Sequence, residues 1–460
     1  MWLIKLIKPN KKINWLILSH AFNMDGRAAS QTITDKIPYL INAGIYLHVI
    51  SAITGIKDHR FPHQQLIAWG PSAFRFDFRH WLASRYGRGI IYRLLTSITS
   101  ITLAPLIAIE RILIGYSSQW SWAFSAYYAA LKLIRAGKIE VIYSTGGAWS
   151  AHLAGLWLKR KTKLPWIVEI HDPLVIRENE KDNGEKPPKG ADDRKRYWLE
   201  KQICNYADIV WWFSEGALSY AEKRNPCLNK KSSTKGFVIV PGANPPQSAG
   251  KILNEHYYDS KLKIFHFGSL SKDRSMKPII DQLPIFFKNH PDAKSEIEFH
   301  IYGAKLDKVS LKFINHNKVQ LNFVEHGRLE HDSISGMSGR QKIAEIMNKA
   351  DILLLLHGKG TWCSEYIPSK IYEYIWFGRP IWGVVSNNAQ LKKIIEERNG
   401  IVSDLDDEIT VYTALEKIWI NWKKKELHKT EVKPISTEAA VEKIIMEVNK
   451  ININTNEQRF

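Results

Sequence analysis

Cysteine is scarce in this chain of 460 residues. Only Cys204, Cys227 and Cys363 occur. They are far apart and odd in number, which argues against a disulfide framework or a zinc knuckle and suits a reducing cytosol. A dinucleotide fingerprint is missing too. The first strand-like run, Ile13 to Leu18, leads to Gly26 without any G-x-G-x-x-G. The opening Met1 to Lys8 is too short and too interrupted by lysine for a signal peptide. The uncharged stretch from Leu94 to Ile109 is closed by Arg93 and Glu110 and contains Pro105. It falls short of the roughly 20 predominantly apolar residues that span a bilayer, so no transmembrane helix is expected. Asp404-Leu-Asp406 has no long apolar run close before it and reads as a charged loop, so no metal site is expected. There is no internal repeat beyond two α/β halves.

Acid is in short supply as well: 46 Asp and Glu stand against 65 Lys and Arg, for a net charge of +19. Such a balance calls for an anionic partner: nucleic acid, an acidic membrane face or phosphorylated substrates. The 17 tryptophans tilt the choice to the last two. Nucleic acid is not expected, because the aromatics travel with aliphatics and not along one basic face. Residues 79–133 show this texture most. Arg79, Arg85, Arg88 and Arg93 accompany Trp81, Ile90, Ile91 and Leu94, and Trp120, Trp122 and Tyr127 follow. The mixture suits a helix in the lipid headgroup layer. A helical hairpin packed on a domain core fits the same residues, so 94–131 is open between lipid contact and core.

The length allows two or three domains. Short apolar runs alternate with helical stretches, the pattern of parallel α/β sheets. Strand candidates are 13–18, 46–51, 139–145, 165–170, 207–213 and 236–242, and then 263–268, 298–303, 319–324, 351–357, 380–385 and 400–402. Pro245 to Gly250 has the composition of a linker. The chain therefore divides at 1–250 and 251–430, with 431–460 as a terminal helix returning to the first domain and a frayed tail. Residues 178–196, charged and dotted with Gly and Pro, read as an exposed loop.

The stretch Glu365 to Pro380 organises the rest. An apolar run, Asp351 to His357, precedes it and another, Pro380 to Val385, follows. Between them Pro368 suits the first turn of a helix and Gly378 its end. The unit is a right-handed crossover of a parallel sheet. Amides near Ser369 and Lys370 would open into the crevice where such sheets bind ligands, and they suit a diphosphate. Lys370 would add charge. Glu365 and Glu373 would accept hydrogen bonds from hydroxyls on either side. From spacing alone, an amphipathic helix with two solvated glutamates is an equal reading.

Glu365 and Glu373, with seven residues between them, match the E-x7-E motif of retaining GT-B glycosyltransferases. Pro368-Ser-Lys-Ile-Tyr-Glu-Tyr374 followed by Gly378-Arg-Pro380 resembles glycosyltransferase family 4. The resemblance implies a GT-B fold of two Rossmann-like α/β domains facing across a cleft. It assigns the nucleotide ribose to Glu373 and the donor-sugar hydroxyls to Glu365. It further implies that Gly268, with Arg274 and Lys277 after it, binds the donor diphosphate, although the family's usual basic residue directly after the glycine is Ser269 here. Arg328, after His326-Gly327, would lie by the nucleobase. On the acceptor side it points to the loop of Gly26, to His152, and to His171 and Asp172 after the strand ending at Ile170.

The expectation is a retaining, metal-independent glycosyltransferase that needs no cofactor. A UDP- or GDP-sugar would serve as co-substrate, and a lipid-linked or polysaccharide acceptor would be extended in cell-surface glycan synthesis. The enzyme would sit on the inner, anionic face of the plasma membrane. Two alternatives remain: a nucleotide-sugar epimerase on the same fold, and a non-catalytic basic protein that binds lipid.

Overall fold

A computed structural model describes residues 13–115, 119–177, 187–229, 234–246, 260–303, 305–317, 322–329, 336–430 and 432–451. The chain divides into two compact units, 1–241 with 437–460, and 242–436.

The first unit is built on seven parallel strands: β1 (Asn14–Leu18), β2 (Tyr46–Ala52), β3 (His63–Leu66), β4 (Val141–Ser144), β5 (Trp166–Ile170), β6 (Ile209–Trp212) and β7 (Lys235–Val238). Their order is β3-β2-β1-β4-β5-β6-β7. Leu16, Leu18, Ile50, Ile142 and Val168 face one layer of helices, and Trp15, Ile17, Tyr143, Ile167 and Trp211 the other. Burial on both faces explains why these strands are continuous apolar runs and not alternating ones. The terminal helix Thr437–Asn449 closes the second layer with Val441, Ile444 and Val448.

The second unit has six parallel strands: β8 (Leu262–Phe267), β9 (Ile297–Tyr302), β10 (Phe323–Gly327), β11 (Ile352–Leu356), β12 (Ile381–Val385) and β13 (Ile401–Asp404), in the order β10-β9-β8-β11-β12-β13. In both sheets the order reverses beside the first strand, between β1 and β4 and between β8 and β11. A crevice at the carboxyl ends of the strands is expected at such a reversal.

The structure corrects several sequence readings. Strand β3, His-Gln-Gln-Leu, was not expected, being a polar edge strand. Residues 319–321 lie outside the described residues, and the strand there is Phe323–Gly327. Of the charged stretch 178–196, residues 178–186 lie outside the described residues. The part from Ala191 is helix, running to Tyr206 with Asp192 and Asp193 in its first turn; acidic residues there suit the helix dipole. Trp15, Trp122, Trp166, Trp211, Trp212 and Trp382 are fully buried, so core filling accounts for much of the tryptophan.

The apolar run at 94–109 is not closed by its flanking charges. One helix of 25 residues, Ile90–Ile114, runs through Arg93, Pro105 and Glu110. By length and composition it is long and apolar enough to cross a membrane, and little of it is buried.

Candidate functional site

The second unit gathers the motif residues at its reversal point. Chain leaving β8 turns at Gly268, whose φ of +155° is in the region that favours glycine. Chain leaving β11 passes His357 and enters a 3-10 turn, Thr361–Glu365. The two loops touch: Lys359 N donates to Asp273 O at 2.6 Å. Arg274 is thereby laid over the Tyr366 ring, 5.7 Å from its centroid, with Nη2 3.4 Å from the phenol oxygen. Its Nε is buried without a hydrogen-bond partner among the described residues.

Glu365, at the end of that turn, is 3% exposed. The turn is held from two sides. His357 is buried, with Nε2 3.1 Å from Tyr366 O and Nδ1 3.0 Å from Ser386 O. Asn388 Nδ2 donates to Cys363 O and Tyr366 O, both at 2.8 Å. Neither His357 nor Asn388 was singled out from sequence. Their only sequence signal is position, just past the ends of β11 and β12.

The helix after Pro368 is shorter than expected. It is one α-turn, Lys370–Tyr374, then a 3-10 turn to Phe377, ended by Gly378 at φ +61°. So short a helix has little summed dipole, and individual amides must do most of any anion binding. Tyr374 ties this turn to the sheet: its hydroxyl accepts from Phe267 N at 3.2 Å and donates to Leu354 O at 3.4 Å. Lys370 does not stand apart as a phosphate charge, because its Nζ is 2.6 Å from Glu373 Oε2. Glu373 also lines a cavity of about 340 Å³ with Asn244, Ser338, Arg340, Gln341 and Met347. Ser369 is the residue before the turn and makes no side-chain cap.

Lys277 is engaged elsewhere. It opens the helix Lys277–Asn289, pairs with Asp281, and sits 5.3 Å from the Phe313 ring. Arg328 follows β10 and is exposed. His326 before it stacks flat on Tyr302, with centroids 4.2 Å apart and planes at 6°.

The acceptor-side candidates fall in the first unit. Gly26 is exposed in the loop after β1, at φ +65°. His171 Nε2 lies 2.7 Å from Glu169 Oε1 and its ring stacks on Phe213; Asp172 beside it is exposed. Glu169 is fully buried and also meets Lys36 Nζ at 2.5 Å, Tyr143 Oη at 2.7 Å, Thr145 Oγ1 at 2.8 Å and Trp211 Nε1 at 3.1 Å. Burial opposes its ionisation, but Lys36 and His171 hold the carboxyl below the usual range. His152, by contrast, is 1% exposed, packed in the core with Nδ1 3.0 Å from Ser144 Oγ. Burial pushes its pKa down to about 3, so it is neutral and gives no surface group for an acceptor.

Two units with all-parallel sheets of this order define the GT-B fold, the architecture of a large class of glycosyltransferases. More particularly, a family model described as a glycosyl transferase 4-like domain matches residues 101–226. That match lies wholly in the first unit, whereas the E-x7-E spacing lies in the second, so the two observations are independent.

The whole chain is similar in fold to solved structures at low identity. HepE of Anabaena, solved in complex with UDP-glucose, has 12% identity and a TM-score of 0.54, covering 95% of this chain and 100% of that one. The trehalose-6-phosphate structure from E. coli bound with UDP-2-fluoro glucose has 11% identity and a TM-score of 0.56, over 97% and 100%. The lipopolysaccharide outer core galactosyltransferase WaaB has 12% identity and a TM-score of 0.52, over 95% and 100%. No curated protein matches the chain.

Proposed function

We propose that the chain transfers a sugar from a nucleotide-sugar donor bound by the second unit. The observation that carries this is Arg274, set against the motif loop at the β8–β11 reversal with a buried Nε that has no hydrogen-bond partner among the described residues. A guanidinium there suits a diphosphate, and a developing leaving-group charge would be met by fixed donors instead of a metal. Glu373 lines the cavity beside Ser338, Arg340 and Gln341 and is the ribose candidate; Glu365, in the loop that Arg274 touches through Tyr366, is the sugar-orienting one. Retention of configuration is the outcome that the E-x7-E resemblance favours. UDP is the favoured nucleotide, since two structures alike in fold hold UDP-sugars.

The acceptor is proposed to be lipid-linked or a growing glycan. It would be met by the Gly26 loop and by His171 and Asp172, at the inner face of the plasma membrane. Thermal-shift titration with UDP-, GDP-, ADP- and CDP-sugars tests the donor reading. A UDP-sugar should raise the melting point of the wild type, and Glu373→Ala should lose that rise. No shift with any of the four sinks the proposal. Epimerisation of radiolabelled donor without acceptor would replace transfer by the epimerase reading.

A further inference from the structure

The long helix Ile90–Ile114 packs against the helix Pro71–Tyr86, to which a short turn, Gly87-Arg88-Gly89, joins it. Only Ile107 and Glu110 of the long helix are buried. At 3.6 residues per turn, Leu94, Ile98, Ile101, Pro105, Ile109 and Ile112 fall within about 80° of one another, on the side opposite Ile107 and Glu110. That face carries no charge, and Ile101 and Ile112 are 74% and 81% exposed. It runs along roughly 27 Å of helix, far more apolar length than a water-facing helix normally shows. Arg93 and Arg111 are five turns apart and fall on one flank of it, and Arg85 and Arg88 stand at the hairpin tip.

A spanning orientation conflicts with the packing. The partner helix would have to enter the bilayer alongside, bringing Arg75, Asp77, Arg79 and His80. That helix is pinned to the fold: Asp77, fully buried, meets His20 Nε2 at 3.0 Å, and His80 Nε2 lies 3.2 Å from Arg27 Nη2. The long helix is pinned in turn, since Glu110 accepts from Ser72 N at 3.1 Å and from Trp120 Nε1 at 2.8 Å. The outward face alone is left for lipid, and the arginines on its flank and tip match anionic headgroups in sign.

We infer that the long helix lies in the plane of an anionic bilayer, its Leu94–Ile112 face inserted among the acyl chains and its arginines among the headgroups. This deepens the membrane placement proposed above by naming the surface and its orientation. It uses no residue of the donor site. Because the inner helix grips His20 and Arg27 on either side of the loop after β1, insertion would also hold that loop against the lipid surface.

Flotation of the full-length protein with phosphatidylcholine vesicles, with and without phosphatidylglycerol, tests the inference. Binding should need the anionic lipid, and Ile101→Glu with Ile112→Glu should lower it at least tenfold. Melting curves without lipid should be unchanged, since both side chains are exposed. Single cysteines at Leu94, Ile101 and Ile112, labelled with a solvent-sensitive dye, should report equal depth by lipid-borne quenchers. A deeper middle position would mean a spanning helix and overturn the inference. So would absence of vesicle binding, or a dimer in solution dissolved by the same glutamates. Glu373→Ala should bind vesicles like wild type, which keeps this result separate from failure of the donor reading.

Discussion

Lys370 and Glu373 neutralise one another across a single helical turn, Nζ to Oε2 2.6 Å, at side-chain exposures of 26% and 17%. Read from sequence, the two serve different parts of a donor. Paired, they form one unit: a nucleotide that takes the Glu373 carboxylate for its ribose releases Lys370 for phosphate. Glu373→Ala should therefore weaken UDP binding by at least tenfold, and Lys370→Ala by less, because it also frees Glu373 from a partner. Calorimetric titration of UDP into both variants checks the order; the reverse order would assign the main contact to the lysine.

Arg274 should discriminate phosphate from nucleoside. Arg274→Ala is expected to cost about 10–100-fold in affinity for UDP, the range of one charge-assisted contact, and almost nothing for uridine. Arg274→Lys should recover only part, since the ammonium lacks the planar fork. Equal loss for UDP and uridine would show that the side chain merely props the Tyr366 loop.

The 3-10 turn carrying Glu365 depends on its two anchors. Asn388→Ala removes one hydrogen bond to a buried carbonyl and one to a half-buried carbonyl, as well as the cap in which Asn388 Oδ1 accepts from Leu391 N. A loss of roughly 2–4 kcal/mol in unfolding free energy is expected. Asn388→Asp should keep the cap and lose the two donors, and chemical denaturation of the pair separates the terms.

Acid should weaken both units. Burial lowers the pKa of His152 to about 3 and of His266 to about 4, from an ordinary 6.5. In the unfolded chain both bind a proton as pH falls through 6.5, while in the fold they do not. Stability is therefore full above about pH 6.5, declines from there toward 4, and levels off below the folded values. Each residue contributes on the order of 1–3 kcal/mol. His266→Gln should flatten the decline between pH 6.5 and 4; an unchanged slope would show that the carboxylates alone are responsible.

The sequence made the sheets legible because buried parallel strands are uninterrupted apolar runs, as Asp351 to His357 and Pro380 to Val385 show. It failed where burial is partial, at β3, whose two glutamines hide an edge strand. The long helix was cut short because Glu110 looks like a terminus, whereas Ser72 and Trp120 satisfy it inside the fold. At the candidate site, the motif spacing and the order Gly268–Arg274 were readable along the chain. The Arg274–Tyr366 contact and the Asn388 and His357 supports join residues 22 to 92 positions or 9 to 29 positions apart. No local pattern encodes such meetings. The Lys370–Glu373 pair was within reach of an i, i+3 argument.

The terminal helix Thr437–Asn449 packs with the unit that begins at the amino terminus, and Ala243 bridges Ser436 where the chain leaves and re-enters. The sheet of β8 to β13 is thus an insert whose two ends meet. The earlier-made half is complete only when that thirteen-residue helix adds Val441, Ile444 and Val448 to the cluster that holds Trp15 and Ile17. A chain cut back to Ser436 should hold one completed globule and one open, chaperone-prone partner.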